Sequence, residues 1–121
     1  MKEHEIFSGN LRIFLHHIYE LQKGVRAMAL CTLPEREALF AEQRLQQEQV
    51  DYVKQALNNE HVNFFFGKKA CMDVVRIIVN RPLNCLSPEE DFIIGTLLGY
   101  DVCQQCERFR EWKEKEIRKI A

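Results

Sequence analysis

Val50-Asp51-Tyr52-Val53-Lys54-Gln55-Ala56-Leu57, followed by Asn58-Asn59-Glu60-His61 and then Val62-Asn63-Phe64-Phe65-Phe66-Gly67, is the stretch that decides the fold class. Its first part sets Val53 and Leu57 against Lys54, the alternation of an edge strand with one wet face. Asn58-Asn59 can visit positive φ and so predicts a tight turn. Val62 to Phe66 is the most hydrophobic run of the chain and reads as a central strand, ended by Gly67. A β-hairpin over 50–66 follows.

Upstream, Val25 to Cys31 alternates Ala27, Ala29 and Cys31 against Met28 and Leu30, a second strand. Leu11-Arg12-Ile13-Phe14-Leu15-His16-His17-Ile18 is rich in β-branched and aromatic residues with Leu11, Ile13 and Leu15 on one face, and predicts a strand paired antiparallel to it across the polar turn at 20–24. Between the two pairs, Thr32-Leu33-Pro34-Glu35 has the spacing of a capping box with proline in the first turn, opening a helix to about Gln47 with Leu39, Phe40 and Leu45 inward.

Downstream, Cys71, Val74, Val75 and Ile78 form a helical stripe over 68–79 opposite Lys69, Asp73 and Arg76. Ser87-Pro88-Glu89-Glu90 is a second capping box, and its helix carries Phe92, Ile93, Leu97 and Leu98 to a stop at Gly99. Asp101 caps a last helix to about Ile120, with Val102, Cys106, Phe109, Ile117 and Ile120 on one stripe and Glu111/Lys115 and Glu114/Arg118 as supporting pairs. The resulting order matches an α+β, ferredoxin-like plan with its last strand moved to the front (permuted ββαββα): an antiparallel sheet with extra C-terminal helices, and 25–31 and 62–66 as its two central strands. The expected organisation is a single α+β domain over 1–121, with an N-terminal tail at 1–10 and a C-terminal helix at 100–120.

At 121 residues and 46% apolar content the chain has material for one core and too much for a disordered polymer. A net charge of −1 leaves no field to recruit nucleic acid or an anionic membrane. Acids at Glu3 and Glu5 replace the bases of a secretory leader, and no run reaches the ~18 apolar residues of a membrane span, so the expectation is a cytoplasmic protein. Its five cysteines, Cys31, Cys71, Cys85, Cys103 and Cys106, then read as reduced thiols, mostly small core residues.

Cys103-Gln104-Gln105-Cys106 places two thiols ~60° apart on a helix, which suits redox or metal chemistry. Against that, the motif follows a helix where thioredoxin-like motifs follow a strand, no second ligand pair accompanies it, and only Cys85 could add a third thiolate. Packing, with Cys106 in the core stripe, is the plainer expectation, and no metal or cofactor is called for. Vicinal His16-His17 point to opposite faces of a strand, one of them toward the core. His17, Tyr19, Glu20, Lys23 and Arg26 collect an aromatic, both charge signs and a titratable ring around the first turn, either as a plain solvated turn or as a contact site for a ligand or partner. Gly67-Lys68-Lys69 reads as a turn, with anion binding the lesser reading. Glu89-Glu90-Asp91 suits the positive end of a helix dipole better than acid/base catalysis. With no Ser/His/Asp order, phosphate loop, dinucleotide fingerprint or H-E-x-x-H, an enzyme is the minority reading.

His16-His17-Ile18-Tyr19-Glu20, Gln22-Lys23-Gly24, Asp51-Tyr52, Val62-Asn63, Phe65-Phe66-Gly67, Pro88-Glu89-Glu90-Asp91-Phe92-Ile93, Gly95, Leu98-Gly99-Tyr100-Asp101 and Gln105-Cys106-Glu107-Arg108 together resemble a family of small bacterial proteins known only as domain of unknown function 2023. The resemblance implies an α+β fold, homodimerisation and no assigned activity; it carries no catalytic residues, and it suggests a redox protein as partner. The leading expectation is a non-enzymatic, homodimeric interaction or accessory module, and the alternative a thiol redox or metal-binding protein using Cys103 and Cys106. The dimer is expected from counting faces: helices 34–47 and 68–79 cover one side of the sheet, leaving Phe14, Ile18, Phe65 and the second face of 25–31 to be buried by the C-terminal helices or a second copy, in an interface that mixes sheet-face residues with the last helix.

Overall fold

The computed structural model describes residues 8–120. The chain runs α1 (Gly9–Gln22), β1 (Met28–Pro34), a 3₁₀ turn at Glu35–Glu37, α2 (Ala38–Gln47), β2 (Asp51–Ala56), β3 (His61–Gly67), α3 (Lys69–Ile78), a second 3₁₀ turn at Leu83–Cys85, α4 (Pro88–Leu97) and α5 (Val102–Ile120). This is an α+β architecture around a three-stranded antiparallel sheet of order β1-β3-β2.

The hairpin stands where its sequence places it, with β2 at an edge and β3 central. Asn58 closes the turn through its side chain, Oδ1 accepting from the backbone N–H of Glu60 and His61, both at 2.8 Å. Neither Asn58 nor Asn59 takes the positive φ that the sequence offered for this turn; among the described residues Gln49, between α2 and β2, is the non-glycine residue that does, at 58°. Gly67 ends β3 at φ 152°, where a Cβ would sit 2.6 Å from the Met28 Cα, so no side chain fits between β3 and the start of β1.

Residues 11–18 correct the sequence reading, for they are helix. Ser8 caps α1, its Oγ accepting from the Leu11 N–H at 3.1 Å, and Leu11, Phe14 and Ile18 are buried at i, i+3 and i+7. Ile13, expected inward on a strand, is 51% exposed. The expected tail and the absence of a leader concern residues 1–7, which lie outside the described residues; Gly9 and Asn10 belong to α1. The buried Glu37 carboxylate ties this helix down, accepting from the Ser8 N–H at 2.8 Å and the Ser8 hydroxyl at 2.6 Å.

Thr32 does not cap a helix. The backbone of 28–34 pairs along its whole length with 61–67, and the Thr32 hydroxyl donates to Asn63 Oδ1 at 2.6 Å, while Asn63 Nδ2 donates to Gln55. The buried Asn63 is thereby satisfied within a polar row that crosses all three strands. In α2 the buried positions are Ala38, Ala41 and Leu45, and Leu39 faces solvent.

The described residues hold three strands, so the fourth strand required by a permuted ferredoxin-like sheet is missing, and β1 is an edge. Helices cover both faces. On one side α1 and α2 pack Leu11, Phe14, Ile18, Ala41 and Leu45 against Ala29, Leu33, Phe64 and Phe66, with the Phe14 and Phe66 rings 4.9 Å apart. On the other, α3 and α4 set Met72, Val75, Ile94 and Leu98 against Met28 and Phe65. Helices 38–47 and 69–78 therefore lie on opposite faces, contrary to expectation, and of the two covers expected for the second face, C-terminal helices or a second copy, α4 of the chain itself supplies one.

Candidate functional site

The polar cluster sits at the C-terminal end of α1 and in the turn to β1, a helix-to-strand turn in place of the expected strand-to-strand turn. Glu20 is its hub. His17, one helical turn earlier, places Nδ1 2.8 Å from Oε1, Arg26 Nε donates to the same oxygen at 3.0 Å, and His16 Nε2 lies 3.7 Å from Oε2. The hydrogen bond to His17 first, and the Arg26 and His16 charges with it, hold the Glu20 carboxyl below the usual glutamate range. Tyr19 presents an exposed ring with His16 stacked at 6.1 Å and Lys23 Nζ 5.4 Å from its centroid. The five expected residues are thus brought together, and His16 joins them. Neither histidine is buried in the core: His16 is exposed and His17 half-buried. His16 was missed because a strand turns neighbours apart, whereas a helix lets i+3 and i+4 meet on one carboxylate.

The cysteines also depart from expectation. Cys103 and Cys106 are both exposed, and so is Cys85; Cys71 is half-buried. Cys31 alone is a core thiol, pushed up to about 12 by burial. All five are free, and among the described residues no cluster of three or more His, Cys, Asp and Glu side chains could hold a metal ion.

Cys106 is exposed because α5 packs chiefly on α4 and the thiol lies to one side of that seam. α5 runs back along α4, with Arg108 donating twice to Asp91 (2.7 and 3.2 Å), Lys113 reaching Glu89 at 2.9 Å and the Phe92 and Phe109 rings 5.6 Å apart. Gly95 lets the two helices close up, for a Cβ there would strike the Gln105 side chain. The acids of the first turn of α4 are all engaged: Glu90 completes the capping box with Ser87 and pairs with Arg81, and Glu89 and Asp91 hold α5. Asp101 caps α5 by accepting from the Gln104 N–H at 2.9 Å.

None of the 19 residues of α5 is buried. Val102 is 60% exposed, Ile117 64% and Ile120 88%, so the stripe expected to pack stands largely in solvent. Beside it Glu89, Phe92, Ile93, Cys106 and Phe109 line a mostly apolar hollow of about 340 Å³. A more polar cleft of about 290 Å³ opens between Leu30, Leu86, Ile94, Tyr100 and the Arg108–Asp91 pair. No helix among the described residues is long and apolar enough to cross a membrane.

Fold and surfaces together define a small α+β protein: a three-stranded antiparallel sheet clad by helices on both faces, carrying a largely exposed C-terminal helix. The chain belongs to the family described as protein of unknown function (DUF2023), whose model matches residues 12–112. No curated protein matches the chain.

Proposed function

We propose that this protein is a non-enzymatic interaction or accessory module of the cytoplasm that acts as a homodimer through α5. One observation carries the reading: a 19-residue amphipathic helix, secured to α4 along one side, keeps Val102, Ile117 and Ile120 in water. An apolar row of that kind is costly in a lone chain and useful at an interface. The sheet faces, filled from within, leave α5 as the seam. His17, Tyr19, Glu20, Lys23 and Arg26 offer a second, polar surface to a protein partner: the Glu20 hub fixes their geometry, and the Tyr19 ring supplies the exposed contact. The net charge of −1 gives no electrostatic basis for binding nucleic acid. Native mass spectrometry of protein purified from its own host tests the whole proposal. It is expected to show a species of twice the chain mass with no bound metal; a lone chain, or a stoichiometric metal, would overturn it.

A second reading, thiol redox chemistry, is favoured by the exposure of both Cys103 and Cys106. In it the two thiols close to a disulfide while a disulfide of a redox partner takes up the two electrons and two protons. A reversible Cys103–Cys106 disulfide at cytosolic potentials would put this reading first; thiols that stay reduced there would remove it.

A further inference from the structure

α5 carries both halves of a self-complementary lock. Resting on the homodimer reading above, we infer that two copies pair their α5 helices antiparallel about a two-fold axis level with Trp112, the Ile117 side chain of each filling the hollow between Phe92, Ile93, Cys106 and Phe109 of the other. A helix turns ~100° per residue, so Cys106, Arg110, Glu114 and Ile117 share a sector of about 80°, turned aside from the seam where Gln105 and Arg108 meet α4. Ile117 lies within that sector, nearest the C-terminus of the four, and is 64% exposed. At ~1.5 Å per residue it stands about 14 Å along the helix from the hollow centred between Cys106 and Phe109. An antiparallel two-fold that seats it there must pass midway, at residue 112.

The charges select the same axis independently. Arg110 and Glu114 are equidistant from residue 112, so that axis sets each Arg110 against the Glu114 of the other copy. Both are available: their side chains are 62% and 46% exposed and bond only along their own helix, Arg110 to Glu114 at 3.2 Å and Arg118 to Glu114 at 3.8 Å. An apolar knob and hole and a reciprocal charge pair that share one axis are what an isologous interface requires. A foreign partner would need no such coincidence, and this commits the surface to a second copy.

Sedimentation velocity over a concentration series, with circular dichroism to verify folding, tests the register. Ile117→Asp is expected to weaken dimerisation by at least about 30-fold, the worth of one buried isoleucine side chain. Arg110→Glu and Glu114→Arg should each weaken it by roughly fivefold, and the double variant, which keeps its i,i+4 pair within the helix, should recover. Independently of affinity, Ile117→Cys under mild oxidation should give a covalent dimer that disappears when Cys106→Ser is added. If the parent chain dimerises and none of these changes affects it, the register is wrong and the homodimer reading stands. If the parent chain sediments as a monomer of 14.4 kDa, both fall.

Discussion

Phe64, Phe65 and Phe66 on β3 and Val102, Ile117 and Ile120 on α5 are both rows of apolar side chains, and the chain treats them differently. Each phenylalanine is fully buried, two against α1 and α2 and one against α3 and α4, because a central strand offers a face to each helical layer. The α5 row has α4 on one side and water on the other, and polar groups do much of the holding: Arg108 to Asp91 and Lys113 to Glu89. Exposed ion pairs of that kind contribute ~1 kcal/mol or less each, far below the burial of an aromatic side chain. The sheet is therefore covered within one chain, whereas α5 keeps Val102, Ile117 and Ile120 in water.

The largest effects are expected at the sheet. Phe65→Ala should cost about 3–5 kcal/mol in urea unfolding, since the cavity would open between β3 and two helices. A cost below 1 kcal/mol would mean that the second face is not packed as described. Glu37→Ala, which removes the acceptor for both the Ser8 N–H and its hydroxyl, should cost about 1–3 kcal/mol and raise amide exchange at the start of α1. Unchanged exchange there would show that the carboxylate does not hold the helix.

On α5 the expected effects shrink. Cys106→Ala should change the stability of the single chain by less than about 0.5 kcal/mol, in contrast to a core cysteine. The thiols carry the same contrast: Cys85 and Cys103 should be alkylated within the native state, while Cys31 should resist until the chain unfolds. Rapid native alkylation of Cys31 would contradict the burial of β1.

The smallest effect is electrostatic. Because the folded-state pKa of Glu20 is lowered, its carboxylate stabilises the fold at pH above the ordinary glutamate value, and that contribution is lost as pH falls through its own, lower value. An NMR titration should find the Glu20 midpoint below the usual range, and His17→Ala should raise it; a midpoint indifferent to His17 would remove the hub from the cluster.

The parts legible in the sequence are those where local chemistry and tertiary surroundings agree. The hairpin, the Ser87 capping box, the Gly99 stop and the Asp101 cap all read directly, since each rests on a side chain or backbone need within a few residues. Residues 11–18 failed because Leu11, Ile13 and Leu15 alternate while Leu11, Phe14 and Ile18 repeat at helical spacing. The arbiter was Ser8, three residues before Leu11 and legible as an N-cap. Thr32 failed for the opposite reason: its spacing to Glu35 is genuine, but pairing of 28–34 with β3 outweighs one cap. At the candidate site the five clustered residues were legible by composition. His16 required the helix, and the exposure of Cys106 required the knowledge that α5 packs chiefly on α4, which no helical stripe contains.

Whether the apolar side of α5 is covered by a second copy is read by sedimentation equilibrium of the intact chain at micromolar concentration. A mass twice the 14.4 kDa of the chain is expected; a stable species at 14.4 kDa across that range would rule the α5 dimer out.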